Sequence, residues 1–249
     1  MTPFFFGSGD RRLFGIYEPA VFGGSGGTRA AVLCPPWGEE YVYAHRALRQ
    51  LSLRLSAAGF HTLRFDFFGT GDSAGDMTDA DLAGWEGDTE LAMEELRDIS
   101  GAARITLIGL RLGATIAARV ASRRAGDVDA LVLWDPIISG ADYPPGAAAP
   151  GSDQTVAVKG FLVTATMRRE IRSIELAPLL AAPATRGLLA ITDRRPLHAS
   201  LPAVPVRPGG GSLAIEFVAD VHPWLWTGPL DNTGAVPARV TERIVRWLG

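Results

Sequence analysis

At 249 residues, with 47% apolar and 20% charged residues, the chain has enough material for one α/β core of ordinary size. A formal charge of −3 excludes the basic footprint of a nucleic-acid-binding surface. The single cysteine, Cys34, excludes an internal disulfide, and no Cys/His spacing suits zinc, so neither a metal nor a cofactor is expected.

Short apolar runs alternate with longer helical patterns, the signature of a mostly parallel sheet covered by helices on both faces. Pro3 to Phe6 and Leu13 to Glu18 flank the turn-like Gly7-Ser8-Gly9-Asp10 and predict an opening hairpin. Ala30 to Cys34 predicts a buried strand, followed by a helix over Ala44 to Ala58 with Leu48, Leu51 and Leu55 on one face and Gly59 as its stop. A strand at His61 to Phe67, a glycine-rich loop and a helix over Asp81 to Ile99 come next. Ile105 to Leu110 predicts a strand that runs directly into a helix at Leu112 to Arg123, and Ala130 to Trp134 predicts another strand. The rhythm breaks from Ser139 to Ala182, where Pro144-Pro145-Gly146 and Pro150-Gly151 mark loops and Phe161 to Ile174 reads as one helix. This stretch, 138–183 at its widest, is expected to be a small cap or insertion in a single domain spanning 1–249. Strands at Gly187 to Ile191 and Leu213 to Val218, then a helix at Pro237 to Leu248, complete the pattern. Met1 to Gly15 lacks the pattern of a secretory signal, and nowhere do about 18 apolar residues run together. A cytoplasmic protein with no membrane span is the default expectation.

The informative motif is Gly109-Leu110-Arg111-Leu112-Gly113, between a predicted strand and a predicted helix. A nucleophile elbow, G-x-S-x-G, makes a sharp turn there and holds its central side chain above the sheet, and its glycines leave room where a Cβ would not fit. Here the central residue is Arg111. A guanidinium stays protonated and offers only donors, so an acyl-enzyme through this position is excluded. A cation at a helix N-terminus also costs roughly 0.3–1 kcal/mol against the macrodipole, so a compensating anion is expected. Glu39 and Glu40, in Pro35-Pro36-Trp37-Gly38-Glu39-Glu40, are the candidates, and a Glu39–Arg111 salt bridge is the preferred arrangement. The same loop is placed to supply an oxyanion-hole amide from Trp37 or Gly38, with a second from Leu112.

His222, after the last strand and ahead of the final helix, stands where a hydrolase of this type keeps its general base. The alternative is a ring that packs beside Trp224 and Trp226. The acid is open between Asp193, after the strand ending at Ile191, and Asp135, after the strand ending at Trp134. Asp135 is preferred, although either could be a cap or turn residue. Cys34 reads as a buried, inert thiol, and Ser73 as part of the glycine-rich structural loop.

Pro35 to Glu40, FDFFGTGDSAGD from Phe65 to Asp76, GLRLGA from Gly109 to Ala114 and LVLWDPIISG from Leu131 to Gly140 together resemble the serine-aminopeptidase-S33-like branch of the α/β-hydrolases. More narrowly, they resemble the exosortase A system-associated hydrolases of type 2, in which arginine at the elbow is part of the pattern. The resemblance implies an α/β-hydrolase fold and does not by itself establish an activity. Two functions follow as expectations. In the first, His222 activates water or a hydroxyl while Arg111 and the oxyanion amides stabilise charge on an ester, thioester or carboxylate, with hydrolysis, acyl transfer or lyase or cyclase chemistry as outcomes. In the second, the scaffold binds without catalysis, and a combination of the two has Arg111 bind the carboxylate or phosphate of an acylated carrier. Either way the expected partner is a small-molecule or carrier-bound acyl substrate.

Overall fold

The computed structural model describes residues 1–22, 27–143, 154–181, 185–192, 212–225 and 235–249. In chain order its elements are β1 (Thr2–Phe6), β2 (Leu13–Glu18), β3 (Arg29–Cys34), α1 (Glu39–Ala57), β4 (Phe60–Phe65), α2 (Leu82–Ser100), β5 (Ile105–Leu110), α3 (Leu112–Arg123) and β6 (Val128–Trp134). Then come β7 (Val156–Val158), β8 (Phe161–Val163), α4 (Ala165–Arg172), α5 (Ala177–Ala181), β9 (Arg186–Ile191), β10 (Leu213–Phe217) and α6 (Ala238–Leu248).

Eight strands form one sheet in the order β1-β2-β4-β3-β5-β6-β9-β10. The β1–β2 hairpin adds antiparallel to β4, and the remaining strands run parallel. Alternation along the strands divides the core between two faces. Val32 and Cys34 of β3 pack with Trp85 and Met93 of α2 and Ile116 and Val120 of α3. Ala31 and Leu33 face the other way, toward Ala44, Leu48, Leu51 and Leu55 of α1 and Val240, Ile244 and Leu248 of α6. The fold is therefore the expected α/β-hydrolase arrangement, a mostly parallel sheet with helices on both faces. Among the described residues, no helix is long and apolar enough to cross a membrane.

Helix ends follow their side chains. The Asp81 carboxylate caps α2 by accepting from Gly84 N at 2.6 Å, and Gly101 closes that helix in the left-handed conformation, φ 71°. The carboxylate of Asp220 accepts from the amides of Arg239 and Val240, at 2.7 and 3.0 Å, at the start of α6.

Two expectations need correction. The helix predicted from Ala44 begins at Glu39, directly after Gly38. The single helix predicted over Phe161 to Ile174 is a strand followed by an eight-residue helix. Lys159 and Gly160, both with positive φ, turn β7 into the antiparallel β8, and the Thr164 side chain caps α4 by accepting from Met167 N at 3.1 Å. The apolar spacing of Phe161 to Val163 suits either element, so periodicity alone misassigned it.

Closeness of backbone is most acute at the end of β5. A Cβ on Gly113 would lie 2.2 Å from Pro35 O and 2.4 Å from Cys34 O, and one on Gly109 would lie 2.3 Å from the Ala114 Cα. Gly113→Ala is therefore expected to cost about 1–3 kcal/mol by overpacking. Gly87→Ala, in the interior of α2 with nothing within 4 Å of the added Cβ, is expected to stabilise by about 0.5–1 kcal/mol. Urea unfolding of the two variants beside the wild type measures both signs.

Candidate functional site

β5 ends at Leu110 and α3 begins at Leu112, so Arg111 alone makes the turn, with φ 55° and ψ −120°. Such a conformation in a non-glycine residue costs on the order of 1–3 kcal/mol and persists only where its surroundings enforce it. Here Arg111 N donates to Trp134 O at 3.0 Å, Ala114 N donates to Arg111 O at 3.0 Å, and the two elbow glycines allow α3 to approach β3. The backbone is that of a nucleophile elbow, with a cation at its apex.

The guanidinium is held on two sides. Nε donates to Glu40 Oε1 at 2.9 Å, and Nη1 donates to the Asp135 carbonyl at 2.9 Å. Both side chains of the ion pair are only 14% exposed. Tyr143 completes the enclosure: its hydroxyl donates to Glu40 Oε2 at 3.1 Å, and its ring centroid lies 5.7 Å from the Arg111 Cζ. Nη2 makes no hydrogen bond among the described residues, yet it is not a buried orphan, so this edge of the fork reaches accessible space.

The counter-ion is therefore Glu40, which corrects the expected Glu39–Arg111 pair. Glu39 instead forms an ion pair with Lys159, at the β7–β8 turn. Successive helical residues point about 100° apart, and Glu40 is in phase with the buried Ala44, Ala47, Leu48 and Leu51 of α1. That phase was a usable sequence signal, hidden because the helix was expected to begin later. Tyr143 carried no such signal, since it comes from the loop after β6.

Trp37 is buried, with its ring edge-on to Phe161 at 6.3 Å, and Gly38 adopts φ 65° at the start of α1. Leu112 opens α3, so its N–H has no intrahelical acceptor. Two helix N-termini thus meet beside Arg111. A cleft of about 550 Å³ adjoins the start of α1, bounded by Trp37, Gly38, Tyr41, Gly69 to Gly71, Asp76, Met77 and Phe161, and neither Arg111 nor Leu112 lines it.

The expected acid and base are not coupled to one another through Asp135. That residue is 4% exposed, and its carboxylate accepts from Thr192 N at 2.7 Å, from the Thr192 hydroxyl, and from Trp224 Nε1 at 3.1 Å. Burial raises its pKa, while those donors and the nearby Arg111 pull it down. The His222 ring instead contacts the Asp220 carbonyl through Nδ1 at 3.1 Å. Trp224 packs edge-on against Trp134 at 4.9 Å in the core. Asp193 and Trp226 lie outside the described residues.

Cys34 is fully buried, and burial pushes its thiol up to about 12, which makes it inert as a nucleophile. Ser73 is a brace: its hydroxyl donates to Asp66 O at 2.6 Å and accepts from Phe14 N at 2.8 Å. Among the described residues, no cluster of three or more His, Cys, Asp or Glu could hold a metal.

Removing Glu40 leaves a largely buried guanidinium uncompensated, so Glu40→Ala is expected to cost about 3–5 kcal/mol. Glu39→Ala, which breaks an exposed pair, is expected to cost no more than about 1 kcal/mol. Chemical denaturation separates the two. Burial also lifts the Glu40 carboxyl above its ordinary value of 4.5, although Arg111 and Tyr143 oppose the rise. The folded protein then holds that proton more tightly than the unfolded chain does. This contribution to stability is complete below about pH 4.5 and is lost as pH rises through the folded value. The stability of the wild type minus that of Glu40→Gln is accordingly expected to fall across that window, measured by urea unfolding at stepped pH.

Comparisons with known proteins agree with this geometry. A family model described as serine aminopeptidase, S33, matches residues 42–187. No curated protein matches the sequence. Among solved structures, Est1E from Butyrivibrio proteoclasticus with ferulic acid bound superposes with a TM-score of 0.73 at 15% identity, covering 98% of this chain and 97% of that one. An α/β serine hydrolase homologue from Coxiella burnetii gives 0.62 at 17% identity, covering 100% and 97%. The thioesterase domain from the curacin biosynthetic pathway gives 0.58 at 14% identity, covering 90% and 94%. Likeness at such identities speaks to the fold, and the family match spans more than half of the sequence. The chain belongs to the serine aminopeptidase S33 family of α/β-hydrolases, and it carries arginine at the apex of its elbow.

Proposed function

We propose that this chain uses the hydrolase scaffold to bind an acyl compound bearing a carboxylate, with Arg111 as its electrostatic anchor, and forms no acyl-enzyme. The observation that carries this reading is the state of Arg111. It stands at the apex of the elbow, is fixed by Glu40 and the Asp135 carbonyl, and keeps Nη2 available. A hydrogen bond from a guanidinium to a carboxylate is charge-assisted and worth about 1.5–3 kcal/mol. The cleft at the start of α1, apolar at Met77 and Phe161 and with Asp76 also on its wall, offers room for an acyl or aryl body. Ferulic acid, the compound in the Est1E structure, is a carboxylate of that kind.

A binding role fits the acid position better than a His222-driven reaction does. The Asp135 carboxylate accepts from Thr192 and Trp224, and the His222 ring contacts the Asp220 carbonyl instead of that carboxylate. The segment 138–183 would act as a cap, joined to the oxyanion loop by Lys159–Glu39 and Trp37–Phe161.

The test combines calorimetry with ferulate and a turnover assay on p-nitrophenyl esters and acyl thioesters. Wild type is expected to bind ferulate and turn over nothing, with binding at least about tenfold weaker in Arg111→Ala. Turnover that collapses in both Arg111→Ala and His222→Ala would overturn the binding reading and establish serine-free catalysis instead.

A further inference from the structure

A second cavity, of about 330 Å³, lies on the α1 face of the sheet, and neither Arg111 nor His222 lines it. Its walls are apolar at Phe14 and Ile16 of β2, Leu33 of β3 and Leu48 of α1. Its polar lining holds Arg64 of β4 and Arg49 of α1, with Tyr41, His45, Asp66 and Asp72 beside them. From these observations we infer a binding site for a small carboxylate with a short apolar chain, its head group on Arg64 and Arg49 and its chain along Ile16 and Leu48.

Arg64 is the unusual element. It sits inside the sheet, paired in register with Ile16 of β2 and Leu33 of β3, and its Nε is buried without a hydrogen-bond partner. Its Nη atoms are not buried orphans, so the fork opens toward accessible space. Among the described residues, no carboxylate lies within ion-pair distance of Arg64 or Arg49.

Of the carboxylates nearest to hand, Asp72 lines the cavity without pairing with either arginine, and two others are engaged elsewhere. Asp66 accepts from the Tyr41 hydroxyl at 2.5 Å and from Asp72 N at 3.0 Å, and Glu18 pairs with the amino group of Met1 at 3.3 Å. Burial holds the Arg64 guanidinium below its ordinary value and Arg49 adds repulsion, while Tyr41, Glu18 and Asp66 oppose the fall. An anion bound between them would relieve both costs, and a planar fork suits a carboxylate in particular. The apolar walls favour a ligand with a hydrocarbon tail over a fully hydrated inorganic anion.

The probe is hexanoate, titrated into isotopically labelled full-length protein and followed by amide chemical shifts. The amides of Ile16 and Leu48 are expected to shift saturably at millimolar concentration. Arg64→Met is expected to weaken this binding at least tenfold and the exposed Arg49→Met several-fold, with Arg64→Lys in between because it keeps the charge and loses the fork. If Arg64→Met does not fold, Arg49→Met decides alone. Shifts confined to the elbow around Leu112, shifts at Ile16 and Leu48 unchanged in every folded variant, or no saturable shift at all would overturn the inference.

Discussion

The ion pair between Arg111 and Glu40 is the constraint around which the rest of the site is arranged. Two helices, α1 and α3, begin side by side beyond the ends of β3 and β5, and each presents the positive end of its dipole there. A guanidinium at that junction adds to an already positive field. A carboxylate in the first turn of α1 offsets the guanidinium and both dipoles at once, and Glu40 occupies that position. Once the pair is formed, Tyr143 has a carboxylate oxygen to donate to, and the Asp135 carbonyl has a cation to face.

This arrangement changes what the inherited geometry can do. The elbow backbone, the close glycines and the helix N-termini are those of a hydrolase, and they are the expensive parts of such a site, since they demand positive φ and near-contact of main chains. Among the described residues, the expected acid Asp135 and the expected base His222 do not hydrogen-bond to each other. Asp135 accepts from donors that fix β6 to the segment after β9, and the Asp220 carboxylate accepts at the start of α6. The result is a site organised to hold charge in place, and such preorganised donors serve recognition as readily as transition-state stabilisation.

Helix α1 links this site to the second cavity. Glu40 points toward the elbow, whereas Tyr41, His45, Leu48 and Arg49, spaced at i, i+4, i+7 and i+8, line the Arg64 cavity. Tyr41 bounds both cavities and donates to Asp66 between them. One helix face thus serves both the ion pair and the apolar core, and an adjoining one the arginine cavity, a division that a nineteen-residue helix can sustain along its length.

By itself the sequence determined the order of strands and helices outside the 138–183 stretch, the elbow and its arginine, the loop beside it and the inertness of Cys34, because each rests on short-range periodicity or on a local steric demand such as that of Gly109 and Gly113. Tertiary structure alone decided between Glu39 and Glu40, since the choice turns on where α1 starts, and one residue rotates the side chain by about 100°. It also decided that Phe161 belongs to a hairpin seated on Trp37, and that Asp135 answers to Thr192 and Trp224. Arg64 was invisible for the same reason. A charged residue in a strand is unremarkable in a linear pattern, and only the convergence of β2, β3, β4 and α1 shows that its fork opens into an apolar-walled cavity whose carboxylates, Asp66 and Asp72, form no ion pair with it. Partners separated by tens of residues are chosen by packing, and no local pattern encodes them.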